Sequence, residues 1–110
     1  MCGDDVENRH EKNARVFRAF CDPKRLAILE LLQSGEKCAC VLIEAMGVGQ
    51  SALSYHMKIL CEAGIVDSRQ EGRWTHYRLS EPGSRYAAQL LLELTRPNTQ
   101  QDAPPTNPSK

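Results

Sequence analysis

The apolar residues of this chain return at two different spacings. Over residues 11–33 and 41–63 they recur every three or four positions, the mark of helices that bury one face. Residues 65–79 carry a denser mixture of β-branched and aromatic side chains that suits strands. The pattern predicts a first helix over residues 11–20, with Ala14, Phe17 and Cys21, or Val16 and Phe20, at helical spacing. Asp22-Pro23 starts a second helix, the carboxylate as N-cap and the proline in the first turn, and Gly35 follows its end near residue 33. Leu26, Ile28, Leu29, Leu31 and Leu32 make that helix apolar around much of its girth, so it is expected at the centre of the core.

Residues 41–46 form a short third helix, Gly47-Val48-Gly49 a turn, and residues 50–63 a fourth helix closed by Gly64. Two short helices joined through a glycine turn are the form of a helix-turn-helix. Strands over 65–71 and 74–79 across Gly72-Arg73 make a β-hairpin directly behind the fourth helix, in the position of a wing. Pro82-Gly83 breaks the chain ahead of a last helix, residues 84–95, whose stripe is Tyr86, Leu90 and Leu94 with Ala87 and Leu91 beside it. Arg96-Pro97 stops that helix. The expected class is mainly α with a β-hairpin wing, a winged helix-turn-helix over residues 11–96. Residues 1–10 are expected as a flexible N-terminal arm, and residues 97–110, polar and holding four prolines, as a disordered tail.

A chain of 110 residues supports one small domain with a thin core, and pairing with a second copy would bury more surface. No apolar run approaches the ~20 residues that span a bilayer, and residues 1–12 hold no apolar signal core, so a cytoplasmic protein without a membrane partner is expected. Lys and Arg balance Asp and Glu to a formal charge of zero, so binding to double-stranded DNA requires cations gathered on one surface. On a wheel of ~100° per residue, Leu53, Met57 and Leu60 of the fourth helix share one side, and Ser51, Ser54, Tyr55 and Lys58 face the other way. Those polar side chains suit base edges and phosphates in a major groove, and Gln50 in the first turn can reach a base edge. Arg73 at the hairpin tip suits a minor groove or a phosphate, with Arg69 and Arg78 near it. Trp74, Tyr77 and Leu79 are expected to pack, because a small domain needs its few large side chains inside. His56 falls near the edge of the core side, as a packed residue rather than a ligand.

Five cysteines, an odd number without a secretion signal, speak for free thiols rather than a disulfide framework. Only Cys38 and Cys40 are closely spaced. Thiolates favour soft ions and thiophilic metalloids, and a helix N-terminus lowers a thiol's pKa. Residues two apart on a regular helix point ~200° apart, so chelation by both requires an irregular or unwound helix start. Such a distortion, passed to the turn and the fourth helix, would weaken the hold on DNA.

Asp22-Pro23-Lys24-Arg25-Leu26, Glu36-Lys37-Cys38-Ala39-Cys40-Val41-Leu42, Gln50-Ser51-Ala52-Leu53-Ser54-Tyr55-His56-Met57, Ala63-Gly64-Ile65-Val66 and the Glu71-Gly72-Arg73 wing together resemble the ArsR/SmtB family of metalloregulatory repressors, over about residues 14–94. The resemblance implies a homodimeric winged-helix repressor that holds operator DNA when empty and releases it when an inducer binds, with dimer contacts from the first and last helices. A Cys-x-Cys at this place is similar to the branches that sense arsenite, antimonite, or cadmium and lead. It implies As(III) or Sb(III) as inducer, with Cd(II) or Pb(II) as alternatives. The arsenite-sensing pattern has another Cys three residues after the second, where this chain has Ile43. A third ligand is then sought in Cys2, since cadmium/lead-type relatives donate arm cysteines to the third helix of the partner subunit. Cys21 and Cys61 remain as alternatives, although a free Cys in or beside a helix is more often a small buried hydrophobe. The His and carboxylate site that relatives carry on the last helix for zinc, nickel or cobalt is unmatched, because residues 84–95 contain no His and one acid, Glu93.

Rival readings stay open at this point. One keeps the fold and replaces ion sensing by thiol oxidation to a sulfenic acid or disulfide. Another is a constitutive DNA-binding or interaction module with incidental cysteines. A thiol-disulfide enzyme lacks the βαβ setting that such sites occupy, and no Ser-His-Asp set, phosphate loop or carboxylate pair stands out.

Overall fold

A computed structural model describes the backbone of residues 2–98 and the side chains of residues 8–98. The elements are α1 (Cys2–Arg18), α2 (Pro23–Leu32), β1 (Lys37–Cys38), α3 (Ala39–Met46), α4 (Gln50–Glu62), β2 (Val66–Glu71), β3 (Trp74–Leu79) and α5 (Glu81–Leu94). Local chemistry sets most of their ends. The Asp22 carboxylate accepts the amides of Lys24 and Arg25 at 3.0 and 3.3 Å ahead of Pro23, starting α2. Gly47 closes α3 by donating its N–H to the Ile43 carbonyl at 2.9 Å, and α4 follows after a turn of three residues. β2 and β3 pair antiparallel from Val66 opposite Leu79 to Glu71 opposite Trp74, across a loop in which Gly72 takes φ 63°.

The core lies where α2, α3 and α4 meet, with Ile28, Leu42, Leu53, Met57 and Leu60 all fully enclosed. Val16 and Ala19 of α1, Ile65 and Val66 at the root of the wing, and Ala87 and Leu90 of α5 close it from the sides. α1 and α5 also meet through the Tyr86 hydroxyl, which donates to the Asn13 amide oxygen at 3.4 Å. This is a winged helix-turn-helix: α3, turn, α4, then the β2–β3 wing.

Several boundaries differ from the sequence pattern for identifiable reasons. α1 begins at Cys2 and ends at Arg18, so the backbone is helical through the segment read as an arm, where polar residues carry no apolar period. Residues 99–110, most of the segment read as a tail, and the side chain of Cys2 lie outside the described residues. A third strand, β1, pairs with β3 to give the order β1-β3-β2; at two residues it is too short to carry a period. Pro82 and Gly83 do not break the chain before α5 but form its first turn, with the Ser80 hydroxyl accepting the Gly83 amide at 3.1 Å. Tyr77 and Leu79 pack against the core as expected, whereas Trp74 is exposed, as is Leu26 on the outer side of α2. Among the described residues no helix is long and apolar enough to cross a membrane.

Gly83 is required by contact rather than by conformation. A Cβ built there would lie 1.7 Å from the Gly64 carbonyl oxygen, so the first turn of α5 rests directly on the backbone between α4 and β2. Gly→Ala inside a helix ordinarily stabilises by roughly 0.5–1 kcal/mol. Here backbone must move to admit the methyl, and Gly83→Ala is expected to destabilise instead, by about 1–3 kcal/mol as an overpacking change. Thermal unfolding would register this as a loss of about 4–8 °C per kcal/mol, and an unchanged or raised Tm would refute the contact.

Candidate nucleic-acid interface and thiol pair

α4 divides its side chains as a recognition helix must. Leu53, His56, Met57, Ile59 and Leu60 are buried, while Gln50, Ser51, Ser54, Tyr55 and Lys58 are exposed. Gly49 precedes the helix without a side-chain cap, so the amides of its first turn keep their donors for water or a phosphate. Tyr55 is more than half exposed, yet its hydroxyl lies 3.5 Å from the Arg18 guanidinium, which donates to it. The five polar positions anticipated on this helix therefore share one open face.

Beneath that face is a polar joint that the sequence reading did not identify. Arg25 is 5 % exposed; its Nη1 donates to His56 Nδ1 at 3.0 Å and its Nη2 donates to the Arg18 carbonyl at 3.0 Å, while its Nε is buried without a partner among the described residues. A guanidinium can only donate, so His56 Nδ1 accepts and its ring proton sits on Nε2. The Asp22 carboxylate stands 3.8 Å from the same nitrogen. α1, the start of α2 and the middle of α4 are thus joined by one buried cation. Helical spacing carried the signal: Arg25 lies three and seven residues before Ile28 and Leu32, both enclosed, and so on the core face.

On the wing, Arg73 is exposed at the tip beside Gly72. Arg69 is committed elsewhere. Its Nε donates to Glu36 Oε2 at 3.1 Å, its Nη2 reaches the same oxygen, and its Nη1 donates to Glu71 at 3.1 Å. The guanidinium in turn holds the Glu36 carboxyl below the ordinary carboxylate range, through its hydrogen bond first. Arg78 is exposed opposite Asp67 across the hairpin.

The thiols of Cys38 and Cys40 lie 3.1 Å apart, with the Cys40 thiol donating to Cys38. The 200° objection applies to two positions within a helix, and Cys38 is not in one. It is the last residue of β1 and the N-cap of α3, with extended angles of φ −73° and ψ 150°, which turn its side chain back over the first turn where Cys40 sits. Both thiols are reachable by solvent, Cys40 more than Cys38. The shared proton separates their acidities. Cys38 is pulled below the ordinary thiol range by the hydrogen bond from Cys40 and then by the Cys40 and other backbone amides at the helix start, whereas Cys40 is pushed above it because its proton is engaged by Cys38. Cys38 is thus the more acidic thiol of the two, and the proton it shares with Cys40 is the one that an electrophilic ion bridging both sulfurs has to displace.

The other cysteines stand apart. The exposed Cys21 thiol donates to the Phe17 carbonyl at 3.3 Å in the turn after α1. Cys61 is half-buried between α4 and the sheet with Met57, Ser68 and Tyr77, and burial pushes its thiol up. Among the described residues no three ligating side chains are gathered to hold a metal ion.

A separate open groove of about 490 Å³ runs between α1 and α5, lined by Phe17, Phe20, Ala87, Ala88 and Leu91 beside Ser84. Leu91, Leu92 and Leu94 are each at least half exposed on α5. In a small domain this is an unusual concentration of apolar surface.

Fold and faces together are those of a DNA-binding transcriptional regulator. Comparison with known proteins makes the class specific: residues 22–68 match the model of the bacterial regulatory protein arsR family. The chain is 40% identical over 87 residues to an HTH-type transcriptional regulator of Methanocaldococcus jannaschii, covering 78% of this chain and 98% of that one. It is 44% identical over 71 residues to the arsenical resistance operon repressor of Bacillus subtilis, covering 64% of this chain and 68% of the relative. Among solved structures it is similar to a homodimeric winged helix-turn-helix DNA-binding domain from Mycobacterium bovis, with a TM-score of 0.66, 29% identity, and 83% of this chain and 85% of that one covered. The chain belongs to the ArsR family of transcriptional repressors.

The shared proton gives a direct test of the thiol geometry. Replacing Cys40 by Ala should raise the titration of Cys38 towards an ordinary thiol, because its side-chain hydrogen-bond donor is lost, and replacing Cys38 by Ala should lower that of Cys40. Thiolate ultraviolet absorbance followed against pH in each single variant reads both. Identical titrations in the two variants and the parent would mean that the sulfurs do not meet.

Proposed function

We propose that this repressor releases operator DNA when a thiophilic metalloid or soft ion, arsenite or antimonite in the first place and Cd(II) or Pb(II) as alternatives, binds Cys38 and Cys40. The observation that carries this reading is the 3.1 Å approach of two solvent-reachable thiols at the start of α3, one of them held below the ordinary thiol range by the other's hydrogen bond. Relatives described as arsenical resistance operon repressors, among them one from Escherichia coli at 37% identity over 83 residues, support the choice of ion. With arsenite each new As–S bond replaces an As–OH bond, and the thiol proton leaves with the hydroxide as water. With a divalent ion the protons pass to solvent. A third thiolate would come from Cys2, since Cys21 and Cys61 lie in other settings.

The DNA surface we assign is Gln50, Ser51, Ser54, Tyr55 and Lys58 in a major groove, with Arg73 of the wing on a minor groove or phosphate. A second copy would cover the groove between α1 and α5, which explains the exposed leucines of α5. The ion acts at a distance from that surface. α3 packs against α4 through Leu42, buried in the same core as Leu53 and Met57, so movement at the start of α3 is transmitted to the recognition helix. A coupling of ~1–3 kcal/mol would change DNA affinity by ~5–150-fold.

Fluorescence anisotropy of a labelled duplex taken from upstream of the chain's own gene, titrated with arsenite, antimonite, Cd(II), Pb(II), Zn(II) and Ni(II) under reducing conditions, tests the reading. Arsenite or antimonite should release the parent by ~5–150-fold and leave the Cys38→Ser, Cys40→Ser double variant on its DNA. Release by zinc or nickel alone would overturn the thiol assignment; in a parallel titration without reductant, release by peroxide in a protein that no ion releases would transfer it to oxidation. Lys58→Ala should weaken binding across sequences and flatten the salt dependence of log K by about one. A full slope in that variant would remove Lys58 from the interface. Leu91→Arg, which places a charge in the α1–α5 groove, should give monomers in analytical ultracentrifugation at concentrations where the parent is a dimer. A dimer that survives this change would place the interface elsewhere.

A further inference from the structure

Cys38 belongs to two structures at once. As N-cap it begins α3, and as the last residue of β1 it pairs with His76 of β3. β3 in turn sets His76 opposite Arg69 of β2, so Cys38, His76 and Arg69 form one row across the three strands, on one face of the sheet. Glu36, two residues before Cys38, reaches over that row. Its carboxylate accepts two donors of Arg69, at 3.1 Å from Nε, and lies 3.7 Å from His76 Nδ1. Glu71 closes the far side, 3.1 Å from Arg69 Nη1 and 3.5 Å from His76 Nε2. The segment carrying the thiol is therefore strapped to the wing by a two-residue strand and one forked ion pair.

The strap is weak where the thiol is. β1 has two residues, and the ion pair that supplements it is solvent-reached, with side-chain exposures of 54% for Arg69 and 30% for Glu36. A small change in the backbone at Cys38 is enough to break such a join, because a short edge strand and an exposed pair each contribute little. The consequence falls on the DNA surface, since β2 and β3 carry Arg73 at their tip.

From this we infer that Glu36 and Arg69 are positioning residues that transmit the state of the Cys38–Cys40 pair to the wing. An ion held by both sulfurs draws Cys38 out of register with His76, the Glu36–Arg69 join opens, and the wing no longer presents Arg73 to DNA. The inference rests on the proposed thiol site. It adds a second route beside the packing of α3 on α4, one that acts on the wing alone.

The experiment compares the parent with Glu36→Gln and Arg69→Lys, the latter keeping the positive charge but losing the planar fork. Cd(II) and arsenite are the probes. Cadmium uptake is followed by thiolate-to-metal absorbance, DNA affinity by anisotropy with and without each ion, and folding by thermal unfolding. Both variants are expected to bind cadmium as the parent does and to keep their Tm, as befits an exposed pair, but to hold DNA more weakly than the parent already when empty, because their join is open without the ion. The ion-induced loss of DNA affinity should shrink from the parent's ~5–150-fold towards threefold or less. A merely structural role would lower Tm and leave the ratio intact. Full ion-induced release by Glu36→Gln overturns the coupling while leaving the thiol site standing. A parent that keeps its DNA in every ion overturns the thiol site itself, and is recognised in the parent alone.

Discussion

The backbone turns at Cys38 from an extended strand into a helix, and the arrangement of the thiol site follows from that turn. Because the residue is extended, its sulfur folds back over the first turn of α3 and meets Cys40 at 3.1 Å. Because the preceding residues run on as β1, the same backbone is hydrogen-bonded to the wing. Because the following residues enter α3 and carry Leu42 into the core, it is also packed against the recognition helix. A ligand seated at this corner would act on a backbone joined to the wing through β1 and to α4 through the packing of Leu42. Elsewhere in the chain a thiol pair would have a chemistry but no lever.

The opposite side of the recognition helix is fixed differently. Arg25 is a cation with almost no water, held by His56 and by the Arg18 carbonyl, with its backbone N–H donating to the Asp22 carboxylate. A charge placed so deep tolerates few alternatives to its native partners, since leaving any of them unpaired costs more than the bond itself returns. It therefore ties the middle of α4 to the end of α1 and the start of α2. The helix is thus anchored at its middle by a buried polar joint, at His56.

Much of this was legible in the chain because long elements repeat their pattern. Leu53, Met57 and Leu60 announced the buried face of α4, and Ser54, Tyr55 and Lys58 its open face, through nothing more than helical periodicity. Asp22-Pro23 marked a helix start by local chemistry alone. What stayed hidden was decided by contacts between distant segments. β1 exists because β3 offers it an edge, and two residues leave no trace in a periodic signal. Wheel geometry made the cysteine pair look strained, since it was applied across a strand-to-helix boundary where it does not hold. Pro82-Gly83 reads as a break unless the Gly64 carbonyl beneath it is known, and Trp74 was assigned inward on size alone, although its hairpin position turns it out.

That Gly83 contact has a meaning for the assembly. Two backbones touch there with no side chain between them, so the joint that links α5 to the corner after α4 has no rotamers to absorb a displacement. In a dimer built through α5, the recognition helix of each protomer is consequently carried on a stiff arm. In such a dimer the span between the two α4 helices, and with it the spacing of the half-sites they could read, would be a dimension set by a pair of glycines in the scaffold.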